Sequence, residues 1–209
     1  MTDHTRVTRD HWWWRPGWQQ GRSFFTWHIT FPENRLIQHT VSVFAKAAQG
    51  LDTLDLVSFE GIHLTMQGVG FADDVSAKDL EKIRESVRLR CSDVPPIHAK
   101  LGAPRVDEEA VSMMVEPLSD LLHLRRQIRA GIGDVWDPMN VPESVEGFHP
   151  HVTLAYSNGK ARIDDIHATI SGLAVPSSSV QISSVSLIKL NRDRKRYEWS
   201  EVANVPLGG

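Results

Sequence analysis

The chain has 209 residues, enough for one large domain or two small lobes, and its 41% hydrophobic and 23% charged content excludes a disordered or fibrous protein. A single cysteine, Cys91, excludes a disulfide framework and a multi-cysteine zinc site, and points to a reducing, cytoplasmic setting. The net charge of −3 gives no whole-protein attraction to nucleic acid and leaves room only for local basic patches.

Residues 1–22 read as an irregular arm, with Arg6, Arg9, Arg15 and Arg22 interleaved with Trp12, Trp13, Trp14 and Trp18. No apolar leader is expected, because Trp12–Trp14 run straight into Arg15 and Pro16, and no stretch has the length of a membrane span. The tryptophans are expected to cover a hydrophobic edge; the sharper reading is stacking, with the arginines, on a nucleotide base. Phe24–Phe31 reads as a strand ended by Pro32. Leu36, Ile37, Thr40, Val41, Phe44 and Ala48 then recur at helical spacing, closed by Gly50. Ile62–Val69 reads as a strand, Ala77–Leu89 as a helix, and Ile97–Leu101 as a short strand after Pro95 and Pro96.

The second half repeats the order. Ala110–Val115 is a strand ended by Pro117, and a helical stripe follows from Leu118 to Ile132. Residues 131–147 read as a loop, Val152–Tyr156 as a strand and Asp164–Ile170 as a helix. Val180–Leu190 and Tyr197–Val205 form a last strand pair around Arg192–Arg196, a turn read first as a solvated hairpin tip, with a phosphate-steering patch as the alternative. Each half is thus strand, proline, helix, then a strand bearing a histidine: His63 lies 31 residues after Pro32, and His151 lies 34 after Pro117. The expected fold is α+β, with two pseudo-symmetric lobes of sequence 23–105 and 106–205. Each lobe is an antiparallel sheet backed by helices, with the two histidines on facing central strands across a cleft.

The pattern His-x-Thr occurs at His28/Thr30, His63/Thr65, His151/Thr153 and His167/Thr169, where ten histidines and ten threonines predict roughly 0.5 copies by chance. Residues i and i+2 of a strand share a face. His63 and Thr65 therefore point together, away from Ile62, Leu64 and Met66. His151 and Thr153 likewise point away from Val152, Leu154 and Tyr156. Histidine titrates near neutrality, so one imidazole can accept a proton while another donates one. Threonine hydroxyls can donate to phosphoryl oxygens. Two such pairs across a cleft suit in-line displacement at phosphorus and require no metal or cofactor.

The segments Gly61-Ile62-His63-Leu64-Thr65-Met66 and Pro150-His151-Val152-Thr153-Leu154-Ala155-Tyr156 resemble the two-histidine phosphoesterase superfamily, which includes RNA 2′,5′-ligases and 2′,3′-cyclic phosphodiesterases. The resemblance implies a bilobal α+β fold and opening of 2′,3′-cyclic phosphates, on RNA ends or small cyclic nucleotides, to 2′-phosphates, with reverse ligation as a companion activity. It makes His63, Thr65, His151 and Thr153 the catalytic residues, with His151 as base and His63 as acid, although the pseudo-symmetry alone leaves those roles interchangeable. One departure stands out: Gly68 falls where the family has a bulky apolar residue. His28, Thr30 and Tyr156 are candidate substrate contacts. His149 is assigned to a loop, and His167, in a helix, is read as coincidence. Two other functions fit the same residues: an RNA-binding module that keeps the cleft without turnover, and a histidine-ligated metal enzyme using His63, His151 and His28, which no HExxH motif supports.

Overall fold

The order of helices and strands follows the punctuation of the sequence closely in the computed structural model, which describes residues 6–32, 34–173 and 179–208. Strand β1 (Phe24–Thr30) is followed by helix α1 (Arg35–Ala47). Asn34 caps that helix: its side chain accepts from the backbone N–H groups of Leu36 and Ile37, which lack partners inside the first turn. Ile37, Thr40 and Phe44 form its buried stripe. A three-residue strand, β2 (Leu54–Leu56), was too short to show a period in the sequence. Then come β3 (His63–Phe71) and α2 (Ala77–Cys91), the latter capped by the Ser76 hydroxyl. The chain continues through β4 (Ile97–Val106), β5 (Ala110–Glu116), α3 (Leu118–Trp136), β6 (His151–Ser157) and α4 (Ile163–Ile170). It ends with β7 (Ser179–Ile182), β8 (Ser184–Asn191) and β9 (Glu198–Pro206).

The strands form two sheets, one in the order β3-β1-β8-β9 and the other β2-β6-β5-β4-β7, with every neighbouring pair antiparallel. Helices α2 and α3 pack on each other and against the first sheet; α4 packs against β4 of the second and against α1. The fold is therefore α+β, two sheets each backed by helices.

Four sequence expectations need revision. Residues 131–136 continue α3 rather than opening a loop. Gly131 is there for packing: a Cβ at that position would lie 2.6 Å from Val87 Cγ2 and 2.9 Å from the Val87 backbone nitrogen, so glycine lets α2 and α3 close together. The single strand expected over Val180–Leu190 is two strands in different sheets, β7 beside β4 and β8 beside β1, because the chain leaves one sheet for the other at Ser183. His63 does not lie on a central strand: β3 is the edge of its sheet, while β6 is flanked by β2 and β5. Nor do the sheets follow the halves 23–105 and 106–205. β4 of the first half sits in the second sheet, and β8 and β9 of the second half sit in the first.

The arm bridges both sheets. Residues 6–12 hydrogen-bond along the end of β6 and the segment after it, with His11 N–H donating to Ser157 and Thr8 N–H to Ala161. Further on, Gly21 N–H meets the carboxylate of Asp193, and Arg22 pairs with Asp73 and Asp74. Among the described residues no helix is long and apolar enough to cross a membrane.

Candidate active site

The approach of β3 to β6 brings both His-x-Thr pairs to one cleft of about 510 Å³ between the sheets, lined by His63, Thr65, His151 and Thr153 together. Each histidine is held the same way. The Nδ1–H of His63 donates to the carbonyl of Gly61 at 2.8 Å, and that of His151 donates to the carbonyl of His149 at 2.8 Å. A carbonyl can only accept, so Nδ1 carries the proton in both rings and Nε2 is left for a ligand.

The two rings differ in burial. His63 is 9% exposed, whereas His151 is exposed. Burial disfavours the charged imidazole and pushes His63 down to about 4, helped by the charge of His151 and opposed by the Gly61 hydrogen bond. His63 is therefore neutral at pH 7.

Behind it lies His28, 1% exposed and parallel to His63, with ring centroids 4.4 Å apart and planes 2° apart. Its Nε2 lies 3.2 Å from the Thr65 hydroxyl, while its Nδ1 is buried with no hydrogen-bond partner among the described residues. Burial, then His63, holds His28 well below the ordinary histidine value. Trp199 sets its edge against both rings, at 6.0 Å from His28 and 5.3 Å from His63.

The other expected contacts separate. Thr30 pairs with His63 across the ladder but is not among the residues lining the cleft. Tyr156 does line it, although strict alternation would place it with Val152 and Leu154 on the core face. The cause is a register shift between β5 and β6: Val111 pairs with Ala155 and Ser112 with Thr153, so one residue is extra and the faces exchange beyond it. His167 is exposed on α4, away from the cleft.

Gly68 has a spatial reason. A Cβ there would fall 2.5 Å from the Glu143 carboxylate and 3.0 Å from the Phe24 ring, both of which line the cleft. A bulky residue at that position would displace part of this wall.

Sequence reasoning missed the wall contributed by the arm. His11 is stacked on Tyr156 with centroids 4.2 Å apart; its Nδ1 lies 3.2 Å from Glu109 Oε2 and its Nε2 2.9 Å from the Tyr197 hydroxyl. Burial, then Arg15 and Arg192, holds it below the ordinary histidine value, so Nδ1–H donates to the carboxylate and Nε2 accepts from the tyrosine. Glu109 also receives Arg9, Trp13 and Arg15 of the arm. Of the tryptophans, Trp12 is buried and donates to Asp55, Trp18 lines the cleft, and Trp13 and Trp14 are each 48% exposed. Arg192 is not a solvated tip residue. It is 3% exposed at the base of the β8–β9 hairpin, its guanidinium covered by Trp12, Trp18 and Tyr197. The arginine-tryptophan interleaving was the only sequence signal for this wall, since His11 and Tyr197 meet across nearly the whole chain.

Among the described residues, no three His, Cys, Asp or Glu side chains are grouped to hold a metal ion.

Two helix-backed antiparallel sheets, each presenting a His-x-Thr pair to a shared cleft, define a two-histidine phosphoesterase architecture. The chain belongs to the 2′-5′ RNA ligase superfamily, whose family model matches residues 37–194. It is therefore related to phosphoesterases and RNA ligases. The fold is similar to the crystal structure of TT0787 of Thermus thermophilus (TM-score 0.70, 16% identity, covering 89% of this chain and 98% of that one). It is also similar to E. coli LigT in apo form (TM-score 0.64, 15% identity, 90% and 99% covered). The E. coli LigT structure in complex with 3′-AMP gives a TM-score of 0.64 at 17% identity, with 90% and 99% covered. No curated protein matches the sequence.

Proposed function

We propose that this protein is a metal-independent phosphoesterase that opens 2′,3′-cyclic phosphates, on RNA ends or small cyclic nucleotides, to 2′-phosphates. The observation that carries this is the pair of imidazoles, each fixed through Nδ1 by the carbonyl two residues earlier, with neither Nε2 hydrogen-bonded among the described residues, both in one cleft. The superfamily and the LigT complex with 3′-AMP support a nucleotide phosphate as ligand.

Burial holds His63 neutral in the resting protein, so its Nε2 is unprotonated and open to take a proton. We therefore assign it as base and His151 as acid, the reverse of the order that the resemblance implies. In ring opening, water attacks phosphorus and gives its proton to Nε2 of His63. The bond from phosphorus to O3′ breaks, and O3′ takes a proton from Nε2 of His151. His151 enters this step as the imidazolium, protonated on both nitrogens, and leaves it neutral with Nδ1–H still on the His149 carbonyl. The products are a 2′-phosphate and a free 3′-hydroxyl, with one water consumed. A ribose 5′-hydroxyl in place of water would use the same two proton positions and give a 2′–5′ linkage.

The threonines donate to the non-bridging oxygens, and the tautomer of His28 prepares one of them. A bare ring nitrogen is easier to leave unpartnered at Nδ1 than a buried N–H, so His28 donates from Nε2 to Thr65 Oγ1. The threonine proton then remains available for phosphate. His28 lines the same cleft but is only 1% exposed, so it acts chiefly through Thr65 and the stacked His63.

The test is turnover of adenosine 2′,3′-cyclic phosphate, with the product read by phosphorus NMR, with and without a chelator. Chelator-resistant formation of the 2′-phosphate is expected. Tight binding without any product would favour the RNA-binding reading, and loss of activity with chelator would favour the metal enzyme.

A further inference from the structure

Two arginines line the cleft besides the catalytic groups, and their charges are balanced differently. Arg15 is paired with Glu109 at 2.6 Å. Arg192, although 3% exposed, has no carboxylate partner among the described residues. Among the described residues its hydrogen bonds run from Nη2, which donates to the backbone carbonyls of His11 at 2.9 Å and Trp13 at 3.3 Å. Buried charges are normally paired, because desolvating an uncompensated ion is costly. A covered guanidinium with carbonyls on one edge and a cleft beside it is a site whose counter-charge arrives with the ligand.

Its position relative to the catalytic pair limits what that ligand is. Tyr197 is their shared neighbour: its ring centroid lies 5.9 Å from that of His63 and 5.8 Å from the guanidinium carbon of Arg192. Both groups therefore flank the same ring and lie at most about 12 Å apart, within the span of two phosphates on one nucleotide.

We propose that Arg192 is a second anion subsite, which takes the phosphate on the 5′-oxygen of the nucleoside whose 2′,3′-cyclic phosphate sits between His63 and His151. This rests on the phosphate-site reading above and selects within it. The preferred substrate is a 5′-phosphorylated end, as on an oligonucleotide, over a cyclic mononucleoside phosphate. The arm takes part because its own carbonyls aim the guanidinium.

The test uses two ligands that need no turnover, adenosine 2′-phosphate and adenosine 2′,5′-bisphosphate, titrated calorimetrically into the full chain. Wild type is expected to bind the bisphosphate at least about tenfold more tightly, the order of one charge-assisted contact. Arg192→Gln retains an N–H donor for the arm carbonyls but removes the charge, and should bring the ratio of the two affinities close to one. Arg192→Lys retains the charge and should keep several-fold of the preference. Equal affinities in wild type, an undiminished ratio in the glutamine variant, or the same loss in both variants would overturn the proposal. Because the ratio is read on products, a protein that shows it while failing to hydrolyse cyclic phosphate would break the hydrolytic reading and leave this one standing.

Discussion

His63 and His151 carry the same motif, and each donates its Nδ1–H to the carbonyl two residues earlier, yet they sit in different surroundings. His63 is walled in by His28 and Trp199 and is held neutral, while His151 is exposed to solvent. Thr65 is exposed beside its buried histidine, and Thr153 is buried beside its exposed one. A repeat that is symmetric in sequence thus becomes asymmetric through its neighbours. In the mechanism proposed above, that asymmetry is what distinguishes the base from the acid.

The largest expected effect tests whether both members are needed. Replacing either His63 or His151 by Ala should lower turnover of a 2′,3′-cyclic nucleotide by roughly 10²–10⁴, the usual worth of general acid–base catalysis. Near-wild-type rates in either variant would dissolve the pair.

The roles can be separated with a cyclic substrate bearing sulfur in place of O3′, a leaving group that needs no proton. His151→Ala should recover most of its rate on this substrate and His63→Ala should not. The opposite recovery would restore the order implied by family resemblance.

Thr→Val at position 65 or 153 removes a donor while keeping the shape, and should cost about 1.5–3 kcal/mol in transition-state binding. Steady-state kinetics of the two variants would detect it, and full activity in both would make the threonines structural. His28→Phe should keep the stack on His63 but lose the bond to Thr65, a loss of about 0.5–1.5 kcal/mol. In the Thr65→Val background the same change should cost almost nothing more in kcat, because the two act as one unit. Additive losses would show that His28 works independently of Thr65.

The smallest effect is on stability. Charging His63 is disfavoured in the folded state relative to the ordinary value of 6.5, so the unfolded chain binds more protons below that pH. Stability from this source is complete above about pH 6.5 and is lost as the pH falls towards about 4. His63→Asn should make the fall in urea midpoint between about pH 7 and pH 5 shallower than in wild type. Identical slopes would place the acid sensitivity in other groups.

Much of this was legible in the chain because it is local. Pro32 and Pro117 ended strands, the helical spacing from Leu36 to Ala48 marked α1, and the spacing of His63 with Thr65 put both on one face. What was not legible depends on contacts between distant residues. The register shift that turns Tyr156 into the cleft is set by pairing with β5, and no residue of β6 announces it. Gly131 looked like a helix breaker because its role is defined by Val87 on another helix. Arg192 looked like a hairpin-tip residue because the arm that buries it begins near the opposite end of the chain.

The interleaving of strands has a consequence for how the molecule can be taken apart. A cut after residue 105 leaves each piece holding strands that belong to both sheets: the first carries β1 and β3 with β2 and most of β4, the second β5–β7 with β8 and β9. Neither piece alone can complete a sheet or oppose His63 to His151, but together they contain every partner. The polypeptide is thus suited to fragment complementation, in which phosphoesterase activity would report the reunion of two otherwise silent halves.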